Sequence, residues 1–227
     1  DVSGVVVVFR DYTEKKSRLE RITYLSFHDQ LTGLYNRRFF EEELRRLDVP
    51  RQMPMTVVMA DVNGLKLTND AFGHARGDAL LQAAARVLRD NCRADDLVCR
   101  VGGDEFTILL PRTDAAGAAQ VIARFREAFS REILDSVPLS VSMGADTKTD
   151  PDEPMQEIFK KAEDRMYRSK LLESPASRGN LVRSIMDTLN GKSERERRHS
   201  ERTADLGVRI AEAYGMGEDE VHKFRLA

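Results

Sequence analysis

Two short apolar runs, residues 97–101 and 106–110, flank Gly102-Gly103-Asp104-Glu105. A glycine pair and an acidic residue between strand-like runs predict a β-hairpin, because tight hairpin turns need residues that tolerate positive φ. Such a hairpin commits the chain to a sheet and mounts Asp104 and Glu105 at its stiff tip. Two adjacent carboxylates held there suit a hard divalent cation, which prefers oxygen ligands. A plain hairpin with a solvated acidic tip fits the same residues, so the turn alone does not decide.

A second segment, residues 55–81, carries more polar residues at strand and helix ends. Its first six residues, MTVVMA, form a near-continuous apolar run, the pattern of a strand buried on both faces. Asp61 ends that run. Residues 64–72 have a helical rhythm through Leu65, Leu67 and Phe72, and Asp78 is expected to cap a further helix whose apolar positions include Leu80, Leu81, Ala84 and Leu88. Helix starts beside strand ends gather free N–H groups and a positive dipole end, which suits phosphate. Taken singly, Asp61 and Asp78 read equally as caps, Asn69 as a turn residue and Lys66 as a surface charge.

Taken together, Gly102 to Phe106 and the 55–81 segment resemble the GGDEF family, the diguanylate cyclases. Residues 29–40, DQLTGLYNRRFF, resemble the opening of that domain, with Asn36 as a helix cap. Residues 162–170, AEDRMYRSK, resemble its closing helix. The resemblance covers roughly residues 24–172 and implies an α/β (α+β) fold: a mainly antiparallel central sheet surrounded by helices, as in nucleotide cyclases and the polymerase palm. Strands are expected near 55–61, 97–102, 105–111 and 138–146, and helices near 36–47, 64–72, 77–90, 114–131 and 154–171.

The resemblance also implies roles. Asp61, Asp104 and the backbone carbonyl of Val62 would bind magnesium, with manganese a possible substitute. Glu105 would serve a second metal or activate the ribose 3′-hydroxyl. Asn69 and Asp78 match the guanine-reading positions, Lys66 and Lys170 phosphate-contacting lysines, and His74 a substrate-proximal histidine. The implied reaction condenses two GTP into cyclic di-GMP, a bacterial second messenger, and two pyrophosphates. Since one domain binds one GTP, a homodimer is implied. Arg93 and Asp96, in Arg-x-x-Asp spacing upstream of the hairpin, match the inhibitory cyclic di-GMP site. The alternative is a non-catalytic module that binds GTP or cyclic di-GMP and regulates an attached domain. Three departures stand out: Asn63 for a common acidic residue, Leu65 for a common phenylalanine, and Ser174 where an arginine often holds phosphates.

Composition agrees with this reading. Among 227 residues, 36 Lys and Arg against 38 Asp and Glu give a net charge of -2, which argues against a general nucleic-acid binder. No apolar run approaches a membrane span and no signal peptide is visible. Cys92 and Cys99 lack framework or zinc-site spacing and read as thiols of a reducing cytoplasm, though a longer parent protein could be membrane-tethered. Residues 1–12 resemble the last strand of a PAS sensor, 13–28 a signalling or linker helix, 29–173 the cyclase domain, and 174–227 the helical opening of an incomplete HD-type phosphodiesterase domain. There, 181–189 and 206–213 read as helices, and His199 as a surface histidine.

Overall fold

The computed structural model describes residues 13–134, 137–172, 179, 182 and 194–214. The expected PAS-like strand, most of the 174–193 segment and the chain end beyond 214 lie outside the described residues.

The apolar run that begins at Met55 becomes the central strand of a five-stranded sheet. The strands are β1 (Tyr35–Asn36), β2 (Met55–Val62), β3 (Leu97–Arg100), β4 (Glu105–Leu110) and β7 (Val141–Lys148), in the order β1-β3-β4-β2-β7. β2 is antiparallel to both neighbours, with Asp61 opposite Glu105 on one side and Ser142 on the other. Only β1 and β3 run parallel, so the sheet is mainly antiparallel, as the resemblance implies. A separate two-stranded ribbon, β5 (Ile133–Leu134) with β6 (Val137–Pro138), precedes β7. The expected strand at 138–146 therefore begins three residues late, because Pro138 belongs to the ribbon.

Alternation along β2 divides the core in two. Val58, Ala60 and Val62 join Phe106, Ile108 and Leu110 beneath the helices α4 (His74–Asp90) and α5 (Ala115–Arg131). Met55 and Val57 join Leu97, Cys99 and Leu109 beneath α2 (Arg37–Leu47) and α6 (Met155–Leu172). Phe106 and Phe125 are fully buried, each worth roughly 1.5–3 kcal/mol of apolar transfer. Burial also pushes the free thiols up, Cys92 to about 12 and Cys99 higher still, so neither is a reactive nucleophile near neutral pH.

Local signals set most helix starts. Asn36 caps α2 as expected, its Oδ1 accepting from Phe39 N–H at 3.0 Å, and Asp114 caps α5 through Gly117 N–H at 2.8 Å. α3 (Leu65–Phe72) starts after Gly64 at φ 74°. The expected cap at Asp78 is corrected: α4 begins at His74, directly after Gly73, whose φ of 85° lets one residue end α3 and start the next helix. Asp78 lies in the second turn. α6 crosses β7 so closely that a Cβ at Gly144 would stand 2.1 Å from Met166 N and 2.4 Å from Ala162 O.

Along the chain, α1 (Thr13–Phe27) precedes the sheet and α7 (Glu194–Ala213) follows it. The helix expected at 206–213 lies within α7, where Val208 and Ala211 are buried while Leu206 and Ile210 are exposed.

Candidate functional site

The register of the sheet builds the acidic end of the site. Asp61, the penultimate residue of β2, lies directly opposite Glu105, the first residue of β4, and directly opposed residues share a face with Cβ atoms about 5 Å apart. The next pair is held by backbone: Val62 N–H donates to Asp104 C=O at 3.0 Å. Val101 N–H closes the turn on Glu105 C=O at 3.0 Å. Asp61 is only 6% exposed, whereas Glu105 is exposed and Asp104 is half-buried. A buried carboxylate needs a partner, and Lys170 Nζ supplies one, donating to Asp61 Oδ1 at 2.7 Å from the last turn of α6.

The glycine pair works differently from the expectation. Neither Gly102 nor Gly103 has a positive φ. A Cβ at Gly102 would come within 2.7 Å of Glu105 Oε2, so this glycine clears room for the Glu105 carboxylate folded back over the turn. A Cβ at Gly103 would meet nothing within 4 Å; its carbonyl is what matters. Arg100, the last residue of β3, donates to Gly103 C=O from Nε at 3.1 Å and from Nη2 at 2.7 Å. The same guanidinium reaches both oxygens of Asp29, at 3.1 and 3.2 Å.

Sequence reasoning missed Arg100. The available signal was a lone cation ending an apolar strand one residue before the turn. Asp29 is held further by the hydroxyl and backbone N–H of Thr32, at 2.6 and 2.8 Å. Burial pushes the Asp29 carboxyl up, but the Thr32 bonds and Arg100 outweigh it and hold the carboxyl below its ordinary value.

A second group sits on the α3–α4 pair. Asn69 points its Oδ1 into a buried position without a hydrogen-bond partner, and the Thr68 hydroxyl is likewise unsatisfied. A Cβ at Gly77 would stand 2.0 Å from Asn69 Oδ1, so the bare backbone of α4 is what admits the Asn69 amide. Asp78 follows Gly77 and is exposed, as are His74 at the start of α4 and Lys66 near the start of α3. These side chains face open space, which leaves their donors and acceptors available to a ligand.

Arg93 and Asp96 lie in the turn between α4 and β3. Asp96 Oδ2 accepts from Arg93 N–H at 2.7 Å, and Asp96 N–H donates to Arg93 C=O at 3.1 Å. Burial pushes the Asp96 carboxyl up despite the bond from Arg93 N–H. The Arg93 side chain is exposed. Its neighbour Asp95 is engaged by Arg112.

The structure thus brings Asp61, Val62, Asp104, Glu105 and Lys170 to one end of the sheet, and Asn69 and Asp78 to one helix pair. Among the described residues, no three His, Cys, Asp or Glu side chains converge closely enough to hold a metal ion. The Lys170 ammonium occupies Asp61 in the way a bound cation would. The oxygen donors Asp61, Val62 C=O and Glu105 fit a hard divalent ion by type.

Known proteins resemble this chain in sequence and fold. The family described as "Diguanylate cyclase, GGDEF domain" matches residues 26–175. Diguanylate cyclase DgcM of Escherichia coli K12 is 33% identical over 172 residues, covering 73% of this chain and 41% of the relative. Response regulator PleD of Caulobacter vibrioides is 32% identical over 174 residues, covering 71% of this chain and 37% of the relative. The chain therefore spans well under half of these relatives' length.

Among solved structures, diguanylate cyclase SiaD of Pseudomonas aeruginosa, in complex with its activator SiaC, superposes with a TM-score of 0.62 at 29% identity, covering 71% of this chain and 65% of that one. The coiled coil and GGDEF domain of DgcB from Caulobacter crescentus, in complex with c-di-GMP, gives 0.64 at 25% identity, covering 69% and 87%. No described helix is long and apolar enough to cross a membrane. With the signature turn, the strand register beneath it and a family match that spans the whole described sheet, the chain belongs to the diguanylate cyclase GGDEF domain family.

Proposed function

We propose that this chain is a diguanylate cyclase that condenses two GTP into cyclic di-GMP and two pyrophosphates. The observation that carries the reading is the acidic end of the sheet, where Asp61 faces Glu105 across β2 and β4 while Lys170 stands 2.7 Å from Asp61. Asp61, the carbonyl of Val62, Asp104 and Glu105 would hold magnesium or manganese, which when bound neutralises phosphate charge and eases ionisation of the attacking 3′-hydroxyl. Lys66 and Lys170 supply fixed positive charge for the phosphates. Lys170 is released for that task when another cation takes Asp61.

Asn69, with its buried and unsatisfied oxygen, and Asp78 read the guanine edge. His74 stands close to the bound nucleotide. Each domain holds one GTP, so turnover needs two domains face to face, and Arg93 with Asp96 binds the product to inhibit it. Arginine suits that task because its fork clamps phosphate and its plane stacks on a base.

The test is incubation of the 227-residue chain with GTP and magnesium, followed by assay of cyclic di-GMP and pyrophosphate. Asp104→Ala and Glu105→Ala should abolish turnover with an unchanged circular dichroism spectrum, since both flank an exposed turn. Near-normal synthesis by Asp104→Ala would sink the reading. Bound nucleotide with no product from the parent chain would favour the regulatory module. Arg93→Ala should relieve product inhibition with little change in initial rate.

A further inference from the structure

The outer margin of the sheet holds a feature that the cyclase reading does not use. β7 is an edge strand, and beyond it α5 and α6 enclose an open groove of about 600 Å³. Arg126 of α5 and Arg165 and Arg168 of α6 line it, and no acidic side chain does. Asn63, Ser140, Ser142 and Ser169 add polar groups to its wall, and Val141, Met143 and Leu172 add apolar surface. In a chain of net charge -2, three arginines around one groove are a local concentration and not a reflection of composition.

Arg165 is fixed in place, donating to Ala145 C=O and to Asp146 Oδ1, each at 2.5 Å. Arg126 and Arg168 are exposed and make no ion pair among the described residues. The groove adjoins the acidic site but uses other side chains: Lys170 donates to Asp61, whereas Arg165 donates to Ala145 C=O and Asp146 at the sheet edge. The two regions share a border, because Ser142, which lines the groove, pairs with Asp61 in the sheet, and within the groove wall Asn63 Nδ2 donates to the hydroxyls of Ser140 and Ser142 at 3.0 Å each.

We propose that this groove is a second anion site that takes a phosphorylated small molecule, with phosphate on Arg126 and Arg168 and an apolar part over Val141 and Leu172. Paired guanidinium forks and hydroxyls match phosphate oxygens. An added peptide strand fits less well. The antiparallel register turns only the backbone of Val141 and Met143 outward before Arg165 covers Ala145 C=O, and so short a stretch cannot hold an extended segment.

The probe is inorganic pyrophosphate, titrated calorimetrically into the 227-residue chain in chelator without divalent metal, beside ADP, which lacks the guanine edge, as the nucleotide form and a poly-glutamate peptide. The parent should bind pyrophosphate or ADP. Arg126→Ser/Arg168→Ser should weaken that binding at least about tenfold, the loss of one charge-assisted hydrogen bond or more, while Arg131→Ser, at an exposed arginine of α5 outside the groove lining, leaves it unchanged. Tighter ADP than pyrophosphate binding identifies a nucleotide, and the reverse a free phosphate. Loss in Lys170→Met alone would assign the binding to the acidic site and overturn the proposal. So would equal binding by all variants, absence of binding by the parent, or binding of the peptide alone. Both replaced side chains are exposed, so an unchanged melting temperature checks that the double variant folds.

Discussion

The acidic end of the sheet and the α3–α4 pair present polar groups in opposite ways. At the sheet, position comes from backbone: Asp61 and Glu105 are opposed by register, and Asp104 is tied through its carbonyl to Val62. At the helix pair, position comes from one missing side chain, Gly77, against which Asn69 rests. Strand-mounted groups are thus pre-positioned whatever their side chains do, whereas helix-mounted ones depend on how closely two helices approach. The sheet also needs a clamp. Lys170 reaches Asp61 only because α6 lies directly on Gly144.

Gly144→Val tests that clamp and carries the largest expected effect. Its Cβ would collide with the backbone of α6, which cannot yield as a flexible side chain would. The variant should lose about 3 kcal/mol or more in denaturant unfolding. A parent-like midpoint would show that α6 does not depend on the contact.

Arg100→Ala should cost about 2 kcal/mol, because it strands the half-buried Asp29 carboxylate and the Gly103 carbonyl together. Unfolding by urea measures it, and a loss below about 0.5 kcal/mol would reduce the bridge to an ordinary surface pair.

Gly77→Ala separates stability from recognition. Alanine favours a helix by about 1 kcal/mol over glycine, which offsets strain at the contact, so the melting temperature should move little. GTP affinity should still fall about tenfold if Asn69 is displaced from the base. Unchanged affinity would detach Asn69 from recognition.

The smallest effect concerns acid. Asp29 has a depressed carboxyl pKa in the folded chain, so its contribution is complete above the unfolded value near pH 4 and fades as pH falls through the folded value. Asp29→Asn should flatten the stability profile in that acid window and leave its shape above pH 6 unaltered. A parent-like acid limb in the variant would remove Asp29 from the account.

Much of this was legible from pattern alone. The buried β2 run, the hairpin and the Asn36 cap follow from local hydrophobicity and turn chemistry, which act within a few residues. What escaped was tertiary. The glycine pair was read as a conformational requirement, yet Gly102 answers to the Glu105 side chain, a packing demand that no dihedral rule encodes. Asp78 looked like a cap because it precedes an apolar stripe, but Gly73 starts the helix earlier and a second-turn aspartate is simply tolerated. Arg100 escaped because its partner Asp29 lies 71 positions away, and β1 because a two-residue parallel strand has no periodicity to detect.

The margins of the sheet bear on how copies of the chain can meet. One described edge is β1, only two residues long, and the other is β7, where Arg165 covers Ala145 C=O and Lys148 is buried against Asp48. Neither offers the long, flat run of open backbone on which sheets fuse into larger sheets. Strand addition is therefore disfavoured at both sides of the five-stranded sheet. Copies that assemble through helix faces or the turn-bearing end keep their contact reversible, and their orientation can change without unpicking a hydrogen-bond ladder.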